Sequence, residues 1–448
     1  MNPDQTLRGN PELRKVILAA LVGTVIEWYD FFLYGTVAAL VFAQLFFPKI
    51  DPLAGTMAAF ATYAVGFVGR PLGGVLFGYI GDRYGRKVSL VWTLSLMGIA
   101  TFLIGCLPTY TQILPGYGQV GVLAPILLVA VRFVQGIAVG GEWGGAVLLS
   151  VESGHRGRRG FLGSWTQAGV PMGLLISLGV FGLARMLPEP DFFSWGWRLP
   201  FMFGIVLTIF GFIVRHSIQE SPLFQATLQP AATDPAQPEP PPENRNPILA
   251  AIASDWRAIL IIIGARLAEN SSFYIFTVFV LSYGKQLKIP EHTMLINVAL
   301  AAAVEFFVIP LYGMLSDTVG RRPVCAFGAV NLILLAYPFF WLLQTHNPYL
   351  IGLALVGTMN LTHAAMYAPQ AAFFSELFGT RVRFSGVSLG YQLSGVVAGG
   401  CAPLIATALL AWAGGSPWAV ALYLVIIAII TALTVLVSHE THRADLTH

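Results

Sequence analysis

Charge is scarce in this 448-residue sequence: Asp, Glu, Lys and Arg make up 10% of it, against 56% hydrophobic residues. A water-soluble domain carries about 25% charged residues. A chain this poor in ionic groups cannot coat itself for water and must turn most of its surface to lipid. Cysteine is sparse as well. Cys106, Cys325 and Cys401 stand far apart inside apolar runs, form no metal or redox spacing, and read as packing residues. There is no Gly-x-x-x-x-Gly-Lys-[Ser/Thr] phosphate loop, which argues against direct ATP hydrolysis. No metal cluster or nucleophile–base pair stands out, so neither an enzyme nor a cofactor is expected. A net charge of +3 gives no reason to expect nucleic acid. No cleavable leader is expected either, because the first apolar run is too long for one and contains Glu27 and Asp30.

Long hydrophobic runs are abundant. Apolar stretches between polar breaks predict twelve spans, near 16–47, 54–81, 88–108, 121–151, 160–187 and 198–216, then 255–284, 292–316, 323–344, 349–377, 383–412 and 417–438. Each approaches or exceeds the roughly 20 residues that cross a bilayer as a helix. Backbone in lipid must satisfy its own hydrogen bonds, and the period-2 alternation of a barrel is missing, so the spans are helical. Seventeen of the 25 Lys and Arg residues fall in the tails and on the side of the even-to-odd loops that follow helices two and eight. Five fall on the opposite side and three inside spans. The positive-inside rule then puts both termini in the cytoplasm.

The expected division is a tail (1–15), a six-helix bundle (16–220), a linker (221–250), a second six-helix bundle (251–438) and a tail (439–448). The linker is rich in proline, from Pro230 to Pro247. It reads as an extended cytoplasmic segment without a core.

Gly78-Tyr79-Ile80-Gly81-Asp82-Arg83-Tyr84-Gly85-Arg86-Lys87 joins the second and third spans, and Gly313-Met314-Leu315-Ser316-Asp317-Thr318-Val319-Gly320-Arg321-Arg322 joins the eighth and ninth. Gly78, Asp82, Gly85, Arg86 and Lys87 match Gly313, Asp317, Gly320, Arg321 and Arg322 at one constant offset. Such a repeat is the internal symmetry of a rocking transporter. Glycines permit the short reversal, and a carboxylate there can bind helix N-termini or arginines. Glu152 with Arg158, echoed by Glu376 with Arg381, extends the same cytoplasmic gate, as does Arg83.

On these loops the chain resembles the major facilitator superfamily. Glu27-Trp28-Tyr29-Asp30-Phe31, Arg70-Pro71-Leu72-Gly73-Gly74 and Arg132-Phe133-Val134-Gln135-Gly136, followed by Gly140-Gly141-Glu142-Trp143-Gly144-Gly145, resemble the metabolite:proton symporters. That family includes transporters of shikimate, α-ketoglutarate, citrate and proline/betaine. The resemblance implies an all-α membrane protein of twelve transmembrane helices in two pseudo-symmetric six-helix bundles. It would sit in the bacterial inner membrane, act as a monomer and use a proton gradient. A small organic acid is the favoured substrate and a zwitterion such as betaine the alternative. No heptad run follows residue 438, which counts against the betaine reading. A non-transporting sensor on the same fold is the other alternative.

Ionised groups inside spans are costly and mark function. Glu27, Asp30 and Tyr34 share one face of the first helix, and Arg132 and Gln135 share a face of the fourth. In similar sugar/proton transporters an acid of helix one and an arginine of helix four couple the proton. That implies Asp30 with Arg132, and Glu27 as a second acid. Arg70 reads either as a substrate clamp or as a gate residue. In the second half, Arg266, Glu269, Asn270 and Tyr274 form a polar stripe on helix seven, and Asn360, His363 and Tyr367 one on helix ten. Tyr391 and Gln392 extend it to helix eleven. All are expected to contact substrate.

Overall fold

The computed structural model describes residues 11–84, 86–116, 118–140, 143–152, 156–216, 247–379 and 383–443. Among these, eleven helices are long and apolar enough to cross a membrane, and a shorter apolar helix occupies the place expected of the third span. They are α1 (Ile17–Phe46), α2 (Pro52–Phe77), α3 (Val91–Cys106), α4 (Leu123–Val139), α5 (Arg159–Ala184), α6 (Gly196–Ile213), α7 (Asp255–Gln286), α8 (Glu291–Val319), α9 (Arg321–Leu343), α10 (Pro348–Glu376), α11 (Ser385–Trp412) and α12 (Trp418–Val437). The 221–250 linker lies outside the described residues up to Asn246, as does Glu142.

Local chemistry sets the helix starts. Asp51 accepts hydrogen bonds from Leu53 N (2.9 Å) and Ala54 N (3.3 Å), with Pro52 at the first helical position. Asn347 does the same for Tyr349 N and Leu350 N ahead of Pro348. Both are caps that satisfy donors the first turn leaves open. The burial pattern is that of a membrane protein. On α8, Ile296, Leu300, Phe307 and Leu311 are exposed, while Glu305 on the opposite face is buried.

Packing repeats between the halves. In the first half α1 packs on α5, α2 on α4 and α3 on α6; in the second, α7 packs on α11, α8 on α10 and α9 on α12. The broadest seam between the halves is α5 against α8. Pro71, Pro310 and Pro338 sit inside continuous helical runs. The irregularities lie elsewhere. Wide π-helical turns occupy Ala38–Phe42 of α1, Ile275–Phe279 of α7 and Gly395–Gly400 of α11. Helix α10 breaks at Thr362 and again beside Pro369.

Candidate functional site

Close approach of α2 and α4 builds the first-half site. A Cβ on Gly136 would lie 1.9 Å from Gly66 O, and one on Gly140 1.9 Å from Arg70 O. Only glycine permits this backbone contact. A Cβ on Gly66 would meet Arg132 Nε at 2.6 Å, so its absence also makes room for the guanidinium.

Arg132 is fully buried, with its guanidinium 4.1 Å from the Tyr34 ring, 4.2 Å from Phe31 and 5.0 Å from Tyr63. It donates through Nη1 to Gln135 Oε1. Gln135 Nε2 donates to Thr101 Oγ1 (2.7 Å), and Thr101 donates to Met97 O (3.0 Å). Asp30 lies beside Thr101 and Gly204, and neither of its carboxylate oxygens has a hydrogen-bond partner within the chain. No ion pair joins Asp30 directly to Arg132 among the described residues; Gln135 and Thr101 connect their surroundings instead. Glu27 is buried one turn before Asp30, and the Tyr34 hydroxyl pairs with Thr62 Oγ1 at 2.7 Å.

Arg70 also approaches Phe31, 4.2 Å from its ring, and lies 4.6 Å from Phe67 and 5.2 Å from Trp28. Phe31 is thus shared by two guanidiniums. Arg70 Nε and Nη2, Arg132 Nε and Nη2, and the Tyr63 hydroxyl are buried without hydrogen-bond partners in the chain. An unsatisfied buried donor costs roughly 1–3 kcal/mol. Such a concentration of them marks a place where a polar ligand can repay the cost.

An aromatic layer joins the halves. Phe31 and Phe67 meet Tyr274 at 6.4 and 5.4 Å, and Phe32 meets Phe273 at 5.4 Å. Asn270 and Tyr274 converge with Phe67 on Gly399 of α11, and Asn270 Nδ2 is also without a partner. Beyond the layer, Arg266 donates to Tyr391 O (2.8 Å), Ser394 Oγ (2.9 Å) and Glu269 Oε2 (3.3 Å). Its guanidinium sits 3.4 Å from the Tyr391 ring, which also stacks on Trp143 of the first half at 3.5 Å. His363 Nε2 faces Glu269 Oε1 at 3.2 Å, and its Nδ1 faces Glu305 Oε1. Tyr367 stacks near His363 at 5.0 Å. Gln392 Nε2 donates across the halves to Gly140 O at 2.7 Å. Asn360 instead ties its own helix to α8, donating to Val356 O (2.9 Å) and Ala301 O (3.4 Å).

The second copy of the repeated loop forms a network. Asp317 accepts Gly160 N (2.8 Å) and Phe161 N (2.9 Å) at the start of α5, so a carboxylate of one half caps a helix of the other. Arg321 donates to Asp317 Oδ1 (2.7 Å) and forks onto Glu376 (3.1 and 3.2 Å). Glu440 accepts from Arg321 N (2.8 Å) and Arg322 N (3.0 Å). Gly160 and Gly313 meet backbone to backbone, and Gly320 turns with φ +107°. The residue facing Glu376 from the first half is buried Arg159 (3.8 Å); Arg158 is exposed. Gly85 and Arg381 lie outside the described residues, as do the surroundings of Gly78 and the side chains of Asp82, Arg83, Arg86, Lys87 and Glu152. At the opposite end of the same seam Arg185 Nε pairs with Glu291 Oε1 at 2.9 Å.

Sequence reasoning missed the walls of the site. Trp28 and Phe31 stood in the Glu27–Phe31 motif, three residues apart, and Tyr63 and Phe67 lie four apart on α2. Gln167, which binds Trp143 Nε1 (3.0 Å) and Tyr367 O (3.3 Å), gave no comparable signal.

Residues 15–233 match the family described as sugar (and other) transporter. The shikimate transporter of Escherichia coli (strain K12) is 42% identical over 446 residues, covering 99% of this chain and 98% of that one. The glycine betaine/proline/ectoine/pipecolic acid transporter of Dickeya dadantii is 36% identical, over 99% of this chain and 86% of that one. The E. coli (strain K12) proline/betaine transporter is 35% identical, over 99% and 87%. Among solved structures, the E. coli xylose transporter in a partially occluded inward open conformation superposes with a TM-score of 0.69. It covers 96% of this chain and 99% of that one at 17% identity.

Proposed function

Because this chain belongs to the metabolite:proton symporters of the major facilitator superfamily, a multi-pass transporter family of the bacterial inner membrane, we propose that it takes up a small organic acid together with protons by alternating access. The observation that carries the reading is the pair Arg70 and Arg132 facing Phe31, both buried and both with N–H groups that find no acceptor in the chain. A carboxylate supplies two acceptors in the fork geometry a guanidinium matches. The aromatic walls suit the carbon skeleton of such an acid, and Asn270 offers a further donor from the opposite half. Asp30, one turn beyond Glu27 and near Thr101, which accepts from the Gln135 that binds Arg132, is the proton carrier in this reading. Its protonation alters the field at Arg132 and permits rearrangement of the halves. Both termini face the cytoplasm, the chain acts as a monomer, and the gradient replaces any cofactor.

A zwitterion is the second reading, because an aromatic layer can hold a quaternary ammonium. Here the Trp28, Phe31 and Phe67 rings already face Arg70, which leaves less of their surface for a ligand cation.

The test is accumulation of labelled shikimate in membrane vesicles under an imposed proton gradient, with other carboxylates and glycine betaine as competitors. Gradient-driven uptake displaced by carboxylates is expected. Uptake indifferent to the gradient would defeat proton coupling. Displacement by betaine alone would favour the zwitterion, and binding without flux a sensor.

A further inference from the structure

The second half contains a titratable cluster that the proposed substrate site does not need. Helix α10 stops at Leu361, and Thr362 (φ −108°, ψ −71°) separates it from the short segment His363–Tyr367. This break points His363 into the space between α7 and α8. Phe273 stacks on the imidazole at 4.1 Å and Tyr367 at 5.0 Å, so the ring is sandwiched. Both ring nitrogens face carboxylates: Nδ1 faces Glu305 Oε1 of α8, and Nε2 faces Glu269 Oε1 of α7 at 3.2 Å. Glu269 Oε2 takes Arg266 Nε at 3.3 Å. His363, Glu269, Glu305 and Arg266 are each no more than 2% exposed.

Proton counting gives the geometry its meaning. A neutral imidazole has one N–H, so it can donate to only one of two ionised carboxylates. Hydrogen bonds at both nitrogens require one more proton, on the ring or on a carboxyl oxygen. Two carboxylates and one guanidinium leave the cluster at one negative charge when the imidazole is neutral. The additional proton brings it to zero, the state a low-dielectric interior tolerates. The neighbours on every packed element fit this count. Arg266 and Glu269 come from α7, Glu305 from α8, Cys325 from α9, Tyr367 from α10 and Tyr391 from α11. Tyr and Cys contribute no fixed charge. Glu305 Oε2 is buried without a partner, a second place for that proton to reside.

We infer that the Glu269–His363–Glu305 cluster is a second proton-binding site, which loads one exchangeable proton in the second half while Asp30 serves the first. Release breaks one of the two imidazole contacts and frees a carboxylate beside Arg266. Arg266 holds Tyr391 O and Ser394 Oγ, and Tyr391 stacks on Trp143 of the first half. The proton is thereby tied to the contact between halves.

The inference rests on the proton-coupled reading only for flux, so the first experiment avoids flux. Infrared difference spectra of the purified protein between pH 5.5 and 9 are expected to contain paired imidazole and carboxyl bands. His363→Gln and Glu305→Gln should each remove the pair, and Asp30→Asn should leave it. Bands unchanged in both variants would overturn the site. Because His363→Gln removes a ring that packs on Phe273, Glu305→Gln, which keeps the shape, provides the independent check. In proteoliposomes, the potential that just halts shikimate flux gives the proton-to-substrate ratio. It should fall by one in Glu305→Gln, and an unchanged ratio would mean that the site is not coupled. If Asp30→Asn leaves the ratio intact while Glu305→Gln lowers it, the first-half assignment fails and this one stands.

Discussion

The two halves share a plan of packing and differ in how they treat buried charge. In the first, Arg70 and Arg132 are faced by aromatic rings, and they and Asp30 retain polar atoms with no partner in the chain. In the second, Arg266, Glu269, His363 and Glu305 are linked in a row of contacts, with Glu305 Oε2 alone among their carboxylate oxygens left without a partner. Unpaired buried groups cost free energy that a ligand can return, whereas a paired cluster costs less and changes when a proton enters or leaves. The contrast suggests a division between a half poised to bind and a half poised to titrate.

The largest effect should come from emptying the poised half. Arg132→Ala removes a guanidinium that stands to make charge-assisted hydrogen bonds of about 1.5–3 kcal/mol each. Shikimate uptake, as kcat/KM in vesicles, should fall by about 100-fold or more. An equal loss from Arg266→Ala would erase the distinction between the halves. Next, Asp30→Asn should abolish accumulation against a gradient while leaving exchange of labelled for unlabelled shikimate within a few fold. A variant that still accumulates substrate would remove Asp30 from the coupling step.

A smaller effect is expected where the halves meet. Gly160→Ala places a Cβ 2.5 Å from Gly313 O and 2.3 Å from the Arg321 guanidinium. The seam at that end must then open, which spin-label distances between α5 and α8 would report as a shift in populations. Unchanged distances would mean that this crossing yields. The opposite end should matter least. Arg185 and Glu291 are partly exposed, and such pairs contribute about 0–1 kcal/mol. Glu291→Gln should change uptake less than about fivefold.

Acid adds a mild test outside the membrane. Burial raises the Glu440 carboxyl, but hydrogen bonds from the backbone N–H groups of Arg321, Arg322, His442 and Thr441 outweigh it and hold the group below the ordinary carboxylate range. A carboxyl lowered on folding stabilises the fold above its unfolded pKa of about 4.3 and loses that contribution as pH falls through the folded value. Melting temperature should therefore depend on Glu440 at neutral pH and converge with Glu440→Gln in strong acid.

Hydropathy made the spans legible, because each helix in lipid must carry its own apolar surface and close its own hydrogen bonds. The expected spans and the observed helices agree within a few residues through most of the chain. The third helix runs Arg86–Cys106 where 88–108 was expected, and the fourth differs most, its first continuous run ending at Val139 where the span was expected to reach 151. The repeated loop was legible because charge is rare in such a sequence, so two matched charged loops stand out. What joins distant helices was not. Glu305 and His363 are 58 residues apart, and nothing in either segment names the other. Trp143 and Tyr391, on different halves, read separately as a member of the Gly140–Gly145 motif and a lining tyrosine. The Gly160–Gly313 contact was half visible, with Gly313 in the motif and Gly160 an ordinary helix-start glycine.

The wide turns in α1 and α7 carry a consequence for inheritance as well as shape. They begin at Ala38 and Ile275, which the offset of the repeated loop brings within two positions of each other. A π turn holds one residue more than an α turn needs, so everything beyond it is rotated by about 100° from the register set before it. Deleting a single residue from Ala38–Phe42 would turn Phe46 away from Trp197, which it meets edge-on at 6.0 Å, without touching Asp30. Matching insertions at one height in both halves are what a duplicated gene would keep when neither copy could lose the extra residue.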